Sequence, residues 1–458
     1  MRSMLFVSSP SRRRRRMIAR TFAAMAILIA ACGSSAKNSG GATTNAPTGT
    51  QASTTGAATT GAPAVSAAPT DTGTGGTSSA TPATGDPIKV MTIAPVNSQL
   101  PPYPNIHEAA KIFGEWINAR GGINGRPLDV ILCDGKGDPN EDANCGRQAA
   151  DQKVVAVVGS FSFDASQLIP ILEQNNIAMF GSCCPIAQIE FSNPISFVTG
   201  SNFAIPAGAV GRMVDDGCKH PAVVYIETAS LQFATDVAKS VFKFKGFNPD
   251  DAKYITIPIA AQDYSAQVAQ AIDGTDCIYG GIADSNWAAF LPAMKSLGGT
   301  QRLYGHQGNL NSVIAKQFPE LTQDGISVNA YPDIAGPMWD DYRAALKQYN
   351  APDLDWNSLA GLGTWSAYQA FVKIVSGMTG DITNETFLKA VRSSKAVDTN
   401  GMFPTLDLST PWKGMGGAFP SIYNRTVTFD RIDKGVLAPT TDAPVDLTAA
   451  LETYKPGG

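Results

Sequence analysis

The feature that most constrains this chain is an alternation of near-continuous apolar runs with helix-patterned segments. Pro87 to Ala94, Leu128 to Leu132, Val154 to Gly159 and Ile177 to Phe180 read as strands. They lack the polar–apolar alternation of a strand with one wet face. They therefore point to a parallel sheet covered by helices on both faces. The intervening helices are expected near 106–117, 141–152 and 165–175; the first carries Ile106, Ala109, Ala110, Phe113 and Ile117 on one face. The series then restarts. A helix over about 204–216 is followed by strands at Ala222 to Ile226, Tyr254 to Ile259, Cys277 to Ile282, Arg302 to Gly305 and Ile326 to Ala330, with a further helix at about 231–244. Residues 337–396 look mainly helical. Beyond about 400 the chain is rich in Gly and Pro, with Thr426 to Phe429 as a strand candidate. The fold class is α/β. The length from residue 87 onward exceeds what one core usually holds, so two lobes are expected.

The first 86 residues are of another kind. Arg12 to Arg16 and Arg20 precede a short apolar run, Phe22 to Ala31, and then Cys32. A basic head, an apolar segment of roughly 7–15 residues and a small-residue cleavage site form a secretory leader; the run is too short to span a membrane, which takes about 20 apolar residues. A Cys directly after Ile29-Ala30-Ala31 resembles a bacterial lipobox, with lipid attached to the Cys32 thiol and cleavage just before it; a plain leader with an incidental Cys is the alternative. Residues 33–86 are almost all Ser, Thr, Ala, Gly and Pro. Such a segment cannot bury enough surface to order itself, and as a flexible tether its ends lie about 40 Å apart. Cleavage before Cys32 removes seven Arg and leaves 28 Lys+Arg against 39 Asp+Glu, a net charge near −11. That disfavours nucleic acid and anionic membrane surfaces as partners of the folded part.

Several segments, in order, resemble the leucine/isoleucine/valine-binding type of periplasmic binding protein. They are Ile117-Asn118-Ala119-Arg120-Gly121-Gly122-Ile123-Asn124-Gly125-Arg126-Pro127, then Cys133-Asp134 and Asp138-Pro139, then Val157-Val158-Gly159-Ser160, Tyr279-Gly280-Gly281 and Tyr304-Gly305-His306-Gln307-Gly308. The resemblance covers about residues 87–436. It implies a type I periplasmic-binding-protein fold: two doubly wound parallel-sheet lobes joined by a three-segment hinge. The division it suggests is a leader at 1–31, a tether at 32–86, a first lobe at 87–203 plus about 332–400, a second lobe at 204–331 plus about 401–436, and a tail at 437–458. It also implies a small-molecule ligand and, as partners, the permease and ATPase subunits of an ABC importer, with the chain acting as a monomer.

Ligands of open α/β sheets bind beyond the carboxyl ends of the strands. The loop Gly159 to Asp164 is such a site. By resemblance Ser160 or Ser162, with Phe161 between them, would hold the ligand's polar head, while Asp164 reads as a helix cap. Ser182 and Cys183 follow the next strand and are second candidates. In the second lobe Glu227, Phe233 and Asp284 follow strands. Gln307 stands where amino-acid binders of the family carry an acidic residue for the ligand's ammonium, so either Asp284 or Glu227 compensates or the ligand lacks that group; Gln307 as a plain loop residue is the alternative. The expected ligand is small and polar: an amino acid, an amide or a related compound.

Six Cys remain after Cys32. In an oxidising compartment an even number suggests disulfides. Cys133 ends a strand and Cys145 lies on the next helix; Cys218 and Cys277 start two strands that could be neighbours. Cys183 and Cys184 are either a strained vicinal disulfide or two buried thiols. No Cys/His spacing for zinc occurs, no cofactor is implied, and no nucleophile motif, P-loop, H-E-x-x-H or dinucleotide fingerprint appears. The reading is an extracytoplasmic, lipid-anchored solute-binding protein rather than an enzyme. A ligand-sensing domain of a signalling system and a lipoprotein hydrolase are the alternatives from other classes.

Overall fold

The structure, a computed structural model, describes residues 83–227, 231–258, 261, 263–351, 359–440 and 443–455. The leader, Cys32 and nearly all of the tether lie outside the described residues, as does the end of the strand expected to run to Ile259.

The apolar runs form two sheets. The first contains β1 (Ile88–Ala94), β2 (Leu128–Asp134), β3 (Ala156–Val158), β4 (Ala178–Phe180) and β5 (Ser196–Phe197), in the order β2-β1-β3-β4-β5, all parallel. β1, β3 and β4 are buried nearly throughout, because helices cover both faces. The second contains β6 (Pro221–Ile226), β7 (Lys253–Ile257), β8 (Cys277–Gly281), β9 (Arg302–His306), β10 (Ile326–Asn329), β11 (Thr426–Asp433) and β12 (Val436–Pro439), in the order β12-β11-β10-β9-β8-β6-β7. This second sheet is mixed, parallel through β10 and antiparallel at one edge. β11 runs antiparallel to β10, and β12 antiparallel to β11. The turn joining β11 and β12 holds Lys434 and Gly435 at φ 50° and 78°, the left-handed pair that a tight hairpin needs.

The chain passes between the lobes three times: after β5, after β10 and before β11. Between the second and third passages lie the helices Asp340–Gln348, Leu359–Ser376 and Asn384–Val391, which pack on the first sheet and its helices. Residues 397–408, expected in part with the second lobe, stay with the first: Val397 bridges Leu406, and the Leu408 N–H donates to the Ser394 carbonyl. The expected tail is no tail. β13 (Val445–Asp446) pairs with the start of β11, and the helix Thr448–Leu451 packs Ala450 and Leu451 against the helix Leu231–Phe244 of the second lobe.

Each lobe carries one disulfide. Cys133, at the end of β2, is bonded to Cys145 on the helix Pro139–Asp151, and Cys218 to Cys277 at the start of β8. Their Cα atoms lie 5.8 and 6.0 Å apart, within the usual range. Cys183 and Cys184 are separate buried thiols.

A buried polar contact ties helix to loop in the first lobe. Asp142, 2% exposed, receives a hydrogen bond from the Ser162 hydroxyl. Burial pushes its carboxyl up to about 7, with Asp164, Asp138 and Asp134 adding to the rise and Ser162 opposing it. The folded protein therefore holds a proton on Asp142 between about pH 4 and 7, where the unfolded chain does not. The contribution of this residue to stability improves as pH falls through that window. Asp142→Asn should be more stable than the wild type at pH 8, on the order of a few kcal/mol, and should lose nearly all of that advantage by pH 4. Thermal unfolding at the two pH values checks this; a pH-independent difference would contradict it.

Candidate functional site

Both sheets point the carboxyl ends of their parallel strands at the space between the lobes. A cavity of about 510 Å³ lies there. The first lobe supplies Pro101 to Asn105 and Glu108 beyond β1, Phe161 and Phe163 beyond β3, Cys184 to Ile186 and Phe191 beyond β4, and Leu359 and Ala360. The second supplies Tyr225 and Ile226 at the end of β6, Phe233, Ala234 and Val237 from the following helix, Gly281 to Asp284 beyond β8, and His306, Gly308 and Asn309 beyond β9. Asn202, Phe203 and Pro206 close it near the first passage between the lobes.

Seven aromatic rings line this space. Tyr103, Phe161 and Phe163 pack on one another with centroids 4.9 to 6.0 Å apart. Tyr103 is set by prolines on both sides and by its N–H, which donates to the Pro95 carbonyl at 2.8 Å. On the other side Phe203 packs against Phe191 at 4.8 Å and Phe233 at 5.6 Å. Polar groups are few: Asn105, Asn202, Asn309 and His306, with Glu108 and Asp284 as exposed carboxylates. Burial holds the His306 imidazole down to about 4, so it is neutral at physiological pH. It shares a hydrogen bond with the Tyr279 hydroxyl and stacks on that ring.

Of the residues expected at the site, Phe161, Phe233 and Asp284 line the cavity. The others do not. Ser160 is buried, and its hydroxyl accepts the Ile93 N–H at 2.9 Å. Ser162 is committed to Asp142 and to the Asp164 N–H. Ser182 is buried and so is Glu190, whose carboxyl burial raises to about 7. Cys183 is fully buried, and it is Cys184 that reaches the wall.

The reason lies in the helix Leu359–Ser376. Gly159 leaves β3 at φ 63°, and the Thr364 hydroxyl donates to its carbonyl at 2.8 Å. Gly363 sits so close to Cys183 that a Cβ there would lie 2.7 Å from the Cys183 Cα. The helix covers the two Gly-Ser turns and leaves only the residues beyond them to face the ligand space. Glu227 is exposed and lies outside the lining, its N–H donating to Ile257; the loop that follows it, 228–230, lies outside the described residues.

Gln307 is corrected most sharply. It is fully buried; its Nε2 donates to the Tyr331 carbonyl, and its Oε1 accepts the Tyr331 N–H, both at 3.0 Å. It clamps the second passage between the lobes. The cavity is met instead by its neighbours His306 and Gly308, since successive side chains at a strand end face opposite ways. Tyr103, Phe163, Cys184, Phe203 and His306 were missed. Tyr103, set between prolines at the start of the helix Pro104–Asn118 that follows β1, carried a readable signal; the rest did not.

Among the described residues the one grouping of metal-ligand types is Cys218, Asp276 and Cys277, and both sulfurs are spent in the disulfide. No helix among the described residues is long and apolar enough to cross a membrane.

The family profile described as "Periplasmic binding protein" matches residues 87–418. The chain belongs to the periplasmic binding protein family. This periplasmic binding protein is similar in fold to the fatty acid ABC transporter substrate-binding protein from Thermomonospora curvata, with TM-score 0.64 and 16% identity over 82% of this chain and 96% of the other. It is similar to a leucine binding protein from Thermotoga maritima, with TM-score 0.59 and 14% identity over 78% and 99%. It is also similar to an ABC transporter substrate-binding protein from Sphaerobacter thermophilus, with TM-score 0.61 and 16% identity over 80% and 100%. No curated protein matches its sequence. The family and these structures are solute-binding proteins, not enzymes, and the family implies an extracytoplasmic location, a small-molecule ligand and a permease partner.

The two adjacent thiols report on this geometry. Cys184 is 8% exposed on the cavity wall, whereas Cys183 is fully buried and its thiol is pushed up by burial. In the native protein a small thiosulfonate reagent should modify Cys184 well before Cys183, as read by peptide mass spectrometry. Equal modification would contradict this placement of the wall.

Proposed function

We propose that the protein is a lipid-anchored solute-binding component of an ABC importer, and that its solute is mainly apolar. The observation that carries this is the ring-lined cavity between the two rows of strand ends. A free amino acid would find the hydroxyls expected for its carboxylate already bonded within the protein, and the glutamine expected near its ammonium clamped to Tyr331. An apolar body finds seven rings. Burying roughly 200 Å² of apolar ligand surface contributes about 5 kcal/mol. The named solute of the Thermomonospora curvata protein, a fatty acid, shares such an apolar body, borne there on an anionic head. Lipid on Cys32 and the tether of residues 33–86 would hold the lobes near a membrane-bound permease, and closure of the lobes on the solute would favour the form that the permease accepts.

A thermal-shift screen of the purified protein tests this reading, with free amino acids and amides set against aromatic and aliphatic compounds. A compound at 100 times its Kd stabilises by about 2.7 kcal/mol. The expected result is stabilisation by apolar compounds that are recovered chemically unchanged. Stabilisation by amino acids alone, or conversion of the bound compound, would contradict it.

A further inference from the structure

The charges around the cavity carry a further step, which rests on the reading above that this cavity holds the solute. Among the described residues no Lys or Arg lines it, and its charged groups are Glu108 and Asp284. The internal stretches outside the described residues, such as 228–230 and 352–358, contain no Lys or Arg either. His306 is neutral. Helix N-termini can substitute for basic side chains, but at two of the helices that begin on this wall several first-turn donors are taken. Pro104 has no N–H, and the Tyr103 N–H goes to Pro95. The Ser285 N–H goes to the Asp284 carboxylate, and the Ala283 N–H to the Asn286 side chain. An anionic solute would face two carboxylates and, among the described residues, no basic side chain.

A cation would meet opposite charge. Asp284 of the second lobe lines the same cavity as Tyr103, Phe161 and Phe163 of the first. Its carboxylate is also among the charges that raise the Tyr103 hydroxyl, after burial and Cys184. Aromatic faces beside a carboxylate attract an ammonium twice over, through the ring quadrupoles and through the opposite charge. We propose that the solute is an organic cation, an ammonium group borne on an apolar body, with Asp284 and the three rings around its charge and the Phe203 side of the cavity around its body.

The test uses three probes of nearly one shape: phenyltrimethylammonium, its uncharged carbon isostere tert-butylbenzene, and benzoate. Ligand-observed NMR on the purified protein gives their dissociation constants. The cation should bind at least about tenfold more tightly than the isostere, and benzoate should bind most weakly. Asp284→Asn should reduce the ratio between cation and isostere several-fold, and raised salt should reduce it in the wild type. Isostere or benzoate binding as tightly as the cation would overturn the charge inference and leave the apolar-solute reading standing. Failure of all three probes, together with every apolar compound of the thermal-shift screen, would overturn both.

Discussion

Tyr331 is the tie on which the arrangement depends. Its backbone N–H and carbonyl are both held by Gln307 of the second lobe. Its hydroxyl donates to the Cys183 carbonyl of the first lobe at 3.4 Å. The passage it sits on is further fixed by the Ser201 hydroxyl, which donates to the Ala330 carbonyl at 3.1 Å. The first and third passages are joined to each other, since Val198 bridges Ile422 and exchanges backbone hydrogen bonds with Ser421 and Tyr423. Three crossing segments bonded in this way leave the lobes one place about which to turn. That place lies at one end of the crevice, so the strand ends on either side can approach each other while each lobe stays intact.

What the strand ends carry then decides what can be held. In both lobes the central parallel strands are buried, and the loops beyond them are where variation costs the fold least. The first lobe has spent the Ser160 and Ser162 hydroxyls on internal bonds and placed rings at the wall. The second lobe does the same with Tyr225 and the Tyr279–His306 stack. Rings at a wall give large contact area at small entropic cost and impose little on the shape of the polar end of a guest. The few polar side chains that remain are neutral amides, one neutral imidazole and two carboxylates at the rim. A guest is sorted by its apolar body first and by its charge second.

Much of the fold was legible because near-continuous apolar strands have few other uses than a covered parallel sheet. The strand-helix order, the two lobes and the adjacency of Cys133 with Cys145 and of Cys218 with Cys277 could all be read from local pattern. The antiparallel return of β11 could not, because direction within a sheet depends on where the chain re-enters after its third passage. The same limit governed the site. Ser160, Ser162 and Ser182 occupy strand-end turns that look alike in sequence whether or not a distant helix covers them; here the helix Leu359–Ser376, some 200 residues later, does so. Gln307 and His306 differ by one position, and one position is the difference between the hinge and the cavity. Phe161 and Asp284 each lie three residues beyond a strand end, and Phe233 lies in the first turn of the helix after β6.

The most direct test is an electron-density map of the protein crystallised with whichever compound stabilises it best. The account places that compound between the Phe161 and Phe233 rings, with no contact to the Ser160 or Ser162 hydroxyls. Density for a compound held by those two hydroxyls, or bound outside the crevice between the lobes, would contradict it.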